Sequence, residues 1–221
     1  MKLLIFIPAR QGSKGIRDKN FKKLNGKPLI DYTFQFAKKI IKKEKNSSIF
    51  FSTDSMKYLK HSIQKGNKFN YIRPKKLSGN NSNIMDAIFH GVEWLRKKKI
   101  YFDTILLLQP TSPFRHIEEA TKVINNFKKM NTKSLVSVTK MSEHPLKCLK
   151  VKRNKWNFLE KNKKNLFRRQ QYKKSKTEYC FIDGTFYIAK LNFLQKNKTF
   201  VKEGKTNIYL LKGKRPPDID E

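Results

Sequence analysis

The stretch MKLLIFIPARQGSKGIRDKN, residues 1–20, places a short apolar run directly before a polar segment that contains glycine. Residues 2–7 are mostly apolar and Pro8 ends the run, as expected of a buried parallel strand. Residues 9–20 then predict a long loop. In α/β proteins ligands bind beyond the carboxyl ends of such strands, so this loop is the first candidate for a functional site.

The alternation of apolar runs and helical stripes continues along the chain. Further strands are predicted at residues 48–52, 69–72, 104–108, 134–139, 179–189 and 207–211. Amphipathic helices are predicted after Pro28, after the N-cap residues Ser55 and Asn83, and around Ala120. Strands that alternate with helices favour βαβ units, so we expect an α/β fold with a mostly parallel sheet in a three-layer sandwich.

Length and composition exclude several classes of protein. The 221 residues are 38% hydrophobic and 12% aromatic, which argues against a disordered chain. Cys148 and Cys180 are too few for a disulfide scaffold. The N-terminal apolar run is too short for a signal peptide, and no stretch reaches the length of a membrane span. We therefore expect a cytoplasmic protein that forms one domain over residues 1–221.

The net charge of +34 arises mainly from lysines that are spread along the whole sequence. No zinc-finger spacing and no RNA-binding signature accompanies them, so nucleic acid is not the expected partner. Residues 141–178 hold 13 basic and 3 acidic residues without sustained periodicity, and we interpret them as an insert or arm. The excess charge still favours acidic or phosphorylated ligands.

The loop between Pro8 and Pro28 has the composition of a polyphosphate site. It contains seven basic residues and one acid, Asp18. Gly12 and Gly15 let backbone amides approach an anion, while a hydroxyl and two cations come from Ser13, Arg10 and Lys14. The spacing matches neither a Walker A motif nor a dinucleotide fingerprint. A solvated basic loop remains the alternative on spacing alone.

Seven short motifs follow one another in a recognisable order. They are residues 7–15 (IPARQGSKG) with Lys19-Asn20, residues 52–54 (STD), 107–115 (LLQPTSPFR), 144–147 (HPLK), 169–171 (RQQ), 183–188 (DGTFYI) and 218–220 (DID). Together they resemble the CMP-sialic acid synthetase (acylneuraminate cytidylyltransferase) family over essentially the whole chain. The resemblance implies a Rossmann-like nucleotidyltransferase that joins CTP to a nine-carbon 2-keto acid sugar and releases pyrophosphate.

The resemblance assigns a nucleotide side to the site. The implied nucleotide-binding residues are Ala9, Arg10, Gly12, Ser13, Lys14, Lys19, Asn20 and Arg73. Arg10, Lys14, Lys19 and Asp220 are the implied catalytic residues. For Arg73 the residue alone also allows a solvated arginine at a strand end. Neutralising the leaving pyrophosphate is mainly a matter of positioning and electrostatics, which suits these cations.

Asp218 and Asp220 form the candidate metal site. Two carboxylates at i and i+2 lie on one side of an extended strand, where they could bind a hard divalent cation. The resemblance makes them ligands of Mg²⁺ (or Mn²⁺). Without it, a frayed acidic C-terminus is the alternative.

The sugar side is predicted from the central motif and the arm. The candidate residues are Gln109, Thr111, Ser112, Lys147, Arg169 and Asp183. Ser112 could instead cap a helix. For any one basic residue of the arm a solvated position is favoured, but the motif matches of Lys147 and Arg169 make these two the candidates for the sugar carboxylate. The resemblance also implies that the arm, residues 141–178, is a dimerisation arm that completes the neighbouring subunit's site in a homodimer.

Asp183 bears on the choice of sugar, because the sialic acid enzymes of this family more usually have Asn-Gly where this chain has Asp183-Gly184. A carboxylate only accepts hydrogen bonds, whereas an amide also donates them. We therefore expect an acceptor of the legionaminic acid type. The alternatives are a synthetase for pseudaminic acid or Kdo, and a catalytically weak homologue that binds polyanions.

Overall fold

The computed structural model describes residues 1–12, 16, 18–79, 81–152, 155–159, 177–212 and 217–219, without the side chains of Leu146 and Trp156. The strands in chain order are β1 (Leu3–Pro8), β2 (Lys23–Leu24), β3 (Lys27–Pro28), β4 (Ser47–Ser52), β5 (Thr104–Leu107), β6 (Ser134–Lys140), β7 (Leu149–Lys152), β8 (Lys155–Phe158), β9 (Cys180–Lys190) and β10 (Asn207–Leu210). The helices are α1 (Leu29–Lys43), α2 (Met56–Gln64), α3 (Ile84–Lys97), α4 (Ile117–Lys129) and α5 (Leu191–Asn197). Short 3₁₀ turns lie at Lys19–Phe21, Lys75–Leu77 and Pro145–Lys147.

Within the described residues the main sheet has six strands in the order β10-β6-β9-β5-β1-β4. Parallel pairs join β1 to β4, β1 to β5 and β10 to β6. Only β9 runs antiparallel to its neighbours β5 and β6. The expected α/β fold with a mostly parallel sheet is therefore confirmed.

Helices cover both faces of this sheet because an interior strand such as β1 is apolar on both sides. In β1, Ile5 belongs to the apolar cluster that also contains Phe34 of α1 and Val123 of α4. Its neighbour Phe6 belongs to a second cluster, together with Ile88 of α3 and residues of α5. Alternate side chains of a strand point to opposite faces, so these two clusters are the two interfaces of a three-layer sandwich.

Two helix starts lie where the sequence predicts them. The Ser55 hydroxyl accepts a hydrogen bond from the amide of Tyr58 at the start of α2. The Asn83 side chain accepts one from the amide of Met85 at the start of α3, at 2.9 Å. Both satisfy amides that a helix leaves unpaired at its first turn.

The strand predicted at residues 69–72 is wrong, because the described backbone there is irregular. Arg73 donates its amide to Thr53, one residue beyond the end of β4, at 2.8 Å. The segment therefore leaves the sheet's edge instead of pairing along it. Its apolar character has another cause: Tyr71 is fully buried and packs against Phe50 and Trp94.

The basic insert at residues 141–178 includes an antiparallel hairpin, in which β7 pairs with β8. The side chains of β7 are exposed along its whole length. Residues 160–176 lie outside the described part of the chain. Across the described ranges, no helix combines the length and the apolar character needed to cross a bilayer.

Candidate active site

A cleft of about 290 Å³ lies at the carboxyl ends of β1 and β5. Seven of the residues predicted for the site line it: Ala9, Arg10, Lys19, Asn20, Arg73, Gln109 and Thr111. One wall was missed by sequence reasoning and is built from Leu77, Gly79, Ser82, Asn83 and Ile84. The only sequence signal in that wall is the N-cap Asn83, which predicts a helix start but not a place beside Arg10.

The loop after β1 is held in place by backbone and side-chain hydrogen bonds. Ala9 donates its amide to the Ser52 carbonyl at the end of β4, at 2.9 Å. The Asn20 side chain donates to the Arg10 carbonyl at 3.4 Å, and the Arg10 guanidinium donates to the Ser78 carbonyl at 3.2 Å. Lys19 and Asn20 are buried although they are polar. These contacts bring two cations and an amide to one end of the cleft.

Gly12 lies in the segment that directly follows β1, and its φ of +77° is in the left-handed region that favours glycine. A Cβ added there would meet no heavy atom within 4 Å, so the backbone around Gly12 is open. The predicted residues Ser13 and Lys14 lie outside the described residues.

Arg73 is a buried cation on the floor of the cleft, with 5% of its surface exposed. This burial excludes the alternative of a solvated arginine at a strand end. Burial lowers the pKa of Arg73, while the nearby Asp54 carboxylate opposes that shift. Within the described part of the chain, its Nε and Nη2 have no hydrogen-bond partner. An unpaired buried donor is costly, so an acceptor group on a ligand in the cleft would stabilise this arginine.

Arg115 connects the central motif to β9. Its Nη2 donates to the Gln109 carbonyl at 2.7 Å, and its Nε donates to the Thr185 carbonyl at 3.0 Å. Burial lowers the pKa of Arg115 to about 9, and the carboxylates of Asp218 and Asp183 oppose the shift. The guanidinium therefore stays charged at neutral pH. Sequence reasoning included Arg115 in a motif but gave it no role.

The C-terminal segment, residues 217–219, packs against the central motif. Ile219 donates its amide to the Thr111 carbonyl at 2.7 Å, and Ser112 Oγ donates to Asp218 Oδ1 at 3.4 Å. Ser112 does not cap a helix, because α4 begins at Ile117 after the N-cap His116. These contacts bring Asp218 beside the cleft, whereas Asp220 lies outside the described residues.

The described part of the chain contains no cluster of three or more His, Cys, Asp or Glu side chains. Such a cluster is not what Mg²⁺ needs in a nucleotide site. Mg²⁺ keeps several waters and binds one or two carboxylates together with the phosphates of its substrate. A carboxylate at Asp218 beside a cationic cleft fits that requirement.

The Asp183 carboxylate, which is predicted to contact the sugar, accepts hydrogen bonds from groups within the protein. It is 2% exposed and accepts hydrogen bonds from Ser137 Oγ at 2.6 Å and Thr139 Oγ1 at 2.9 Å. The Thr185 amide donates to the same carboxylate at 2.8 Å. Asp183 is thus a buried acceptor between β6 and β9 and is absent from the described residues that line the cleft.

Lys147 is not among the described residues that line the cleft either. Its side chain is half exposed and forms an ion pair with Glu143 at 3.1 Å. Arg169 lies outside the described residues. Among the described residues, the structure therefore brings together five of the predicted nucleotide residues, Ala9, Arg10, Lys19, Asn20 and Arg73, with Gln109 and Thr111 of the central motif.

Comparison with protein families gives a match over most of the chain. The sequence model of a family described as cytidylyltransferase matches residues 4–204. The chain is 30% identical to the CMP-N,N'-diacetyllegionaminic acid synthase of Legionella pneumophila, covering all of this chain and 91% of that protein. It is 35% identical to an N-acylneuraminate cytidylyltransferase of Escherichia coli over 64% of this chain and 32% of that protein. It is 26% identical to a pseudaminic acid cytidylyltransferase of Campylobacter jejuni, covering all of this chain and 91% of that protein.

Solved structures with low sequence identity share the fold. A CMP:2-keto-3-deoxy-manno-octonic acid synthetase in complex with CTP aligns with a TM-score of 0.69 at 16% identity, over all of this chain and 93% of the other. A 4-diphosphocytidyl-2C-methyl-D-erythritol synthase from Anaerococcus prevotii aligns with a TM-score of 0.61 at 13% identity, over 99% of this chain and 92% of the other. The likeness extends across the whole sheet and supports a Rossmann-like architecture.

The internal partners of Asp183 give a testable prediction about stability. Asp183→Ala leaves several buried donors without an acceptor and is expected to lower the free energy of unfolding by about 3 kcal/mol. Asp183→Asn keeps one acceptor oxygen and should cost less. Urea denaturation measures both, with the exposed Glu203→Ala as the control. An unchanged denaturation midpoint for Asp183→Ala would contradict this structural role.

Proposed function

The chain belongs to the cytidylyltransferase family, and we propose that it joins CTP to a nine-carbon 2-keto acid sugar of the sialic or legionaminic acid type. The reaction would release pyrophosphate and leave a CMP-sugar. The observation that carries this proposal is the cleft in which Arg10, Lys19 and Arg73 lie beside the segment of Asp218. A cationic cleft next to a carboxylate is what a metal-bound nucleoside triphosphate requires.

On the nucleotide side, Arg10 and Lys19 would bind the triphosphate and neutralise the charge that develops on the leaving pyrophosphate. Asn20 and the free donors of Arg73 would bind the rest of the nucleotide. Ser13, Lys14 and the backbone at Gly12 remain predicted phosphate ligands. Because Arg73 and Asn20 are held by a buried environment, they need little reorganisation when the nucleotide binds.

On the metal side, Asp218 and Asp220 would hold Mg²⁺ (or Mn²⁺). A divalent ion held by these carboxylates would supply Lewis-acid chemistry, which offsets phosphate charge and lowers the pKa of the attacking hydroxyl. Ser112 orients the Asp218 carboxylate through its hydroxyl. The buried guanidinium of Arg115 lies close enough to Asp218 for an electrostatic attraction between the two side chains.

On the sugar side, Gln109 and Thr111 would face the acceptor from the other wall of the cleft. Arg115 holds the Gln109 carbonyl and so leaves the amide side chain available for sugar hydroxyl or acylamino groups. Lys147 and Arg169 remain proposed ligands of the sugar carboxylate. The full-length similarity to the diacetyllegionaminic acid synthase supports an acceptor of that type. A CTP-dependent synthetase would work in the cytoplasm, where its nucleotide is available.

An assay of pyrophosphate release tests the reaction. We expect release only when CTP, Mg²⁺ and an acid sugar are all present, with N,N'-diacetyllegionaminic acid faster than N-acetylneuraminic acid, pseudaminic acid or Kdo. Equal turnover with ATP or UTP would contradict the cytidine assignment. A clear preference for another acid sugar would reject the legionaminic acid type of acceptor but would leave the cytidylyltransferase reaction in place. Tight, salt-dependent binding of nucleic acid without any pyrophosphate release would favour the polyanion-binding alternative.

Removing either terminal carboxylate tests the metal site. Asp218→Asn and Asp220→Asn are each expected to lower the rate at least about a hundredfold, because a metal-phosphate contact contributes several kcal/mol to the transition state. The melting temperature should stay close to that of the wild type. Glu203→Gln changes an exposed acid and serves as the control. A near-wild-type rate for either variant at saturating CTP would show that its carboxylate is not a ligand.

We also propose that the arm joins two copies of the chain in a homodimer. The hairpin of β7 and β8 exposes Leu149, Val151, Phe158 and the following Leu159 by 48%, 68%, 53% and 61%. Four large apolar side chains in one exposed hairpin are typical of a surface that binds another protein.

Sedimentation velocity tests the homodimer. The wild type is expected to sediment as a dimer, and Val151→Asp should raise the dissociation constant because a carboxylate would be buried in the interface. Met130→Asp is the matched control, since Met130 is an exposed apolar residue at the end of α4. A monomeric wild type at tens of micromolar, or a Val151→Asp variant that dimerises normally, would rule out this interface.

A further inference from the structure

Asp54, just before α2, and Tyr58, in its first turn, each form a hydrogen bond to the loop that follows β1. Asp54 Oδ1 accepts a hydrogen bond from the Gln11 amide at 2.8 Å. Four residues later, the Tyr58 hydroxyl donates to Asp18 Oδ1, also at 2.8 Å. Gln11 directly follows Arg10, and Asp18 directly precedes Lys19. One short segment therefore anchors the chain next to Arg10 and next to Lys19, two of the cations of the cleft.

The anchor at Asp18 controls the direction of the backbone that enters the cleft. Asp18 has φ 54° and ψ 32°, a left-handed conformation that most residues avoid and that Asp adopts more readily than most residues other than glycine. Its carbonyl accepts the Phe21 amide at 2.8 Å, which closes the 3₁₀ turn that carries Lys19 and Asn20. A hydrogen bond to the Asp18 side chain stabilises this conformation locally.

Tyr58 is itself fixed by its surroundings. It is 2% exposed, and its ring stacks on Phe21 with the centroids 4.1 Å apart and the planes at 21°. His61, one turn further along α2, contacts the Phe21 ring edge-on, with the ring centroids 4.9 Å apart. His61 and Lys65 in turn bond to the buried carboxylate of Asp31 in α1. The hydroxyl of Tyr58 thus points at Asp18 from a rigid base.

The Tyr58 hydroxyl is protonated near neutral pH and therefore acts as a hydrogen-bond donor. Burial raises its pKa, and the hydrogen bond to Asp18 and the charges of Asp18 and Asp54 raise it further. The hydroxyl therefore stays protonated and donates to the carboxylate. Neither Asp54 nor Tyr58 is among the described residues that line the cleft.

We propose that Asp54 and Tyr58 are positioning residues that set the affinity for CTP by holding Arg10, Lys19 and Asn20 in their binding orientation. They act through the loop and do not contact the nucleotide. This inference rests on the proposed function, because it takes CTP as the ligand of the cleft. When the hydrogen bond of Asp54 or Tyr58 is lost, Arg10 and Lys19 are still present, but the backbone that carries them is free to adopt other conformations. Binding of CTP must then restore that conformation, and the apparent affinity falls.

Tyr58→Phe is the sharper test, because it removes one hydroxyl and keeps the ring that stacks on Phe21. We expect the KM and the Kd for CTP to rise roughly tenfold, as for the loss of one hydrogen bond to a charged group. The kcat at saturating CTP and the KM for the sugar should stay near those of the wild type. Tyr209→Phe is the matched control, since Tyr209 donates to the Glu119 carboxylate at 2.9 Å outside the cleft lining.

Asp54→Ala tests the second anchor. It removes the acceptor of the Gln11 amide, and we expect a rise in the Kd for CTP of similar size. Asp103→Ala is its control, because Asp103 accepts the Lys2 amide at 2.7 Å at the opposite end of β1. Both controls should bind CTP like the wild type even where they lower the melting temperature.

The possible outcomes separate this inference from the proposed function. If the wild type does not bind CTP in isothermal titration calorimetry, the proposed function fails first. If the wild type binds CTP and both Tyr58→Phe and Asp54→Ala bind it equally well, only the positioning role is rejected. A variant that lowers kcat and the melting temperature while its KM for CTP is unchanged would point to a purely structural role and would also overturn the inference.

Discussion

The parallel pairing of β1 with both β4 and β5 is the constraint on which the site depends. It aligns the carboxyl ends of three strands at one edge of the sheet. The backbone that leaves β1 is bonded to the end of β4 through Ala9 and Ser52, and the central motif begins where β5 ends. Residues that are a hundred positions apart in sequence, such as Arg10 and Gln109, line one cleft for this reason.

Two buried arginines, Arg73 and Arg115, place positive charge at or beside the cleft. Arg115 donates its Nη2 and Nε to the carbonyls of Gln109 and Thr185 and lies near two carboxylates, although its Nη1 has no hydrogen-bond partner within the described residues. Arg73 is also buried, and two of its nitrogens, Nε and Nη2, lack a hydrogen-bond partner within the described residues. The first arginine organises the walls of the cleft, and the second is left with capacity for a ligand. Most of the lysines that the structure describes are exposed at the surface.

Much of the fold could be predicted because its signals are local. The apolar run that Pro8 ends, and the caps at Ser55 and Asn83, each depend on a few neighbouring residues. The strand predicted at residues 69–72 failed because an apolar run does not reveal whether Tyr71 is buried in a sheet or, as here, beneath α3. The cleft wall that includes Leu77 and Ser82 carries no chemical signal in the sequence beyond the helix cap at Asn83. The partners of Asp183 are also beyond local reasoning, because Ser137 and Thr139 come from another strand that only the sheet brings close.

The place where the basic insert leaves the sheet has a consequence for how the family can diversify. The insert begins after Lys140 of β6 and returns at Cys180 of β9, and these two residues are directly paired across the antiparallel ladder. A backbone bond from Met141 to Tyr179 extends the ladder by one more step. The insert therefore leaves and rejoins the sheet at neighbouring positions, so its length can change without shifting a strand of the main sheet. The sheet and the described lining of the cleft can stay as they are while the insert diverges.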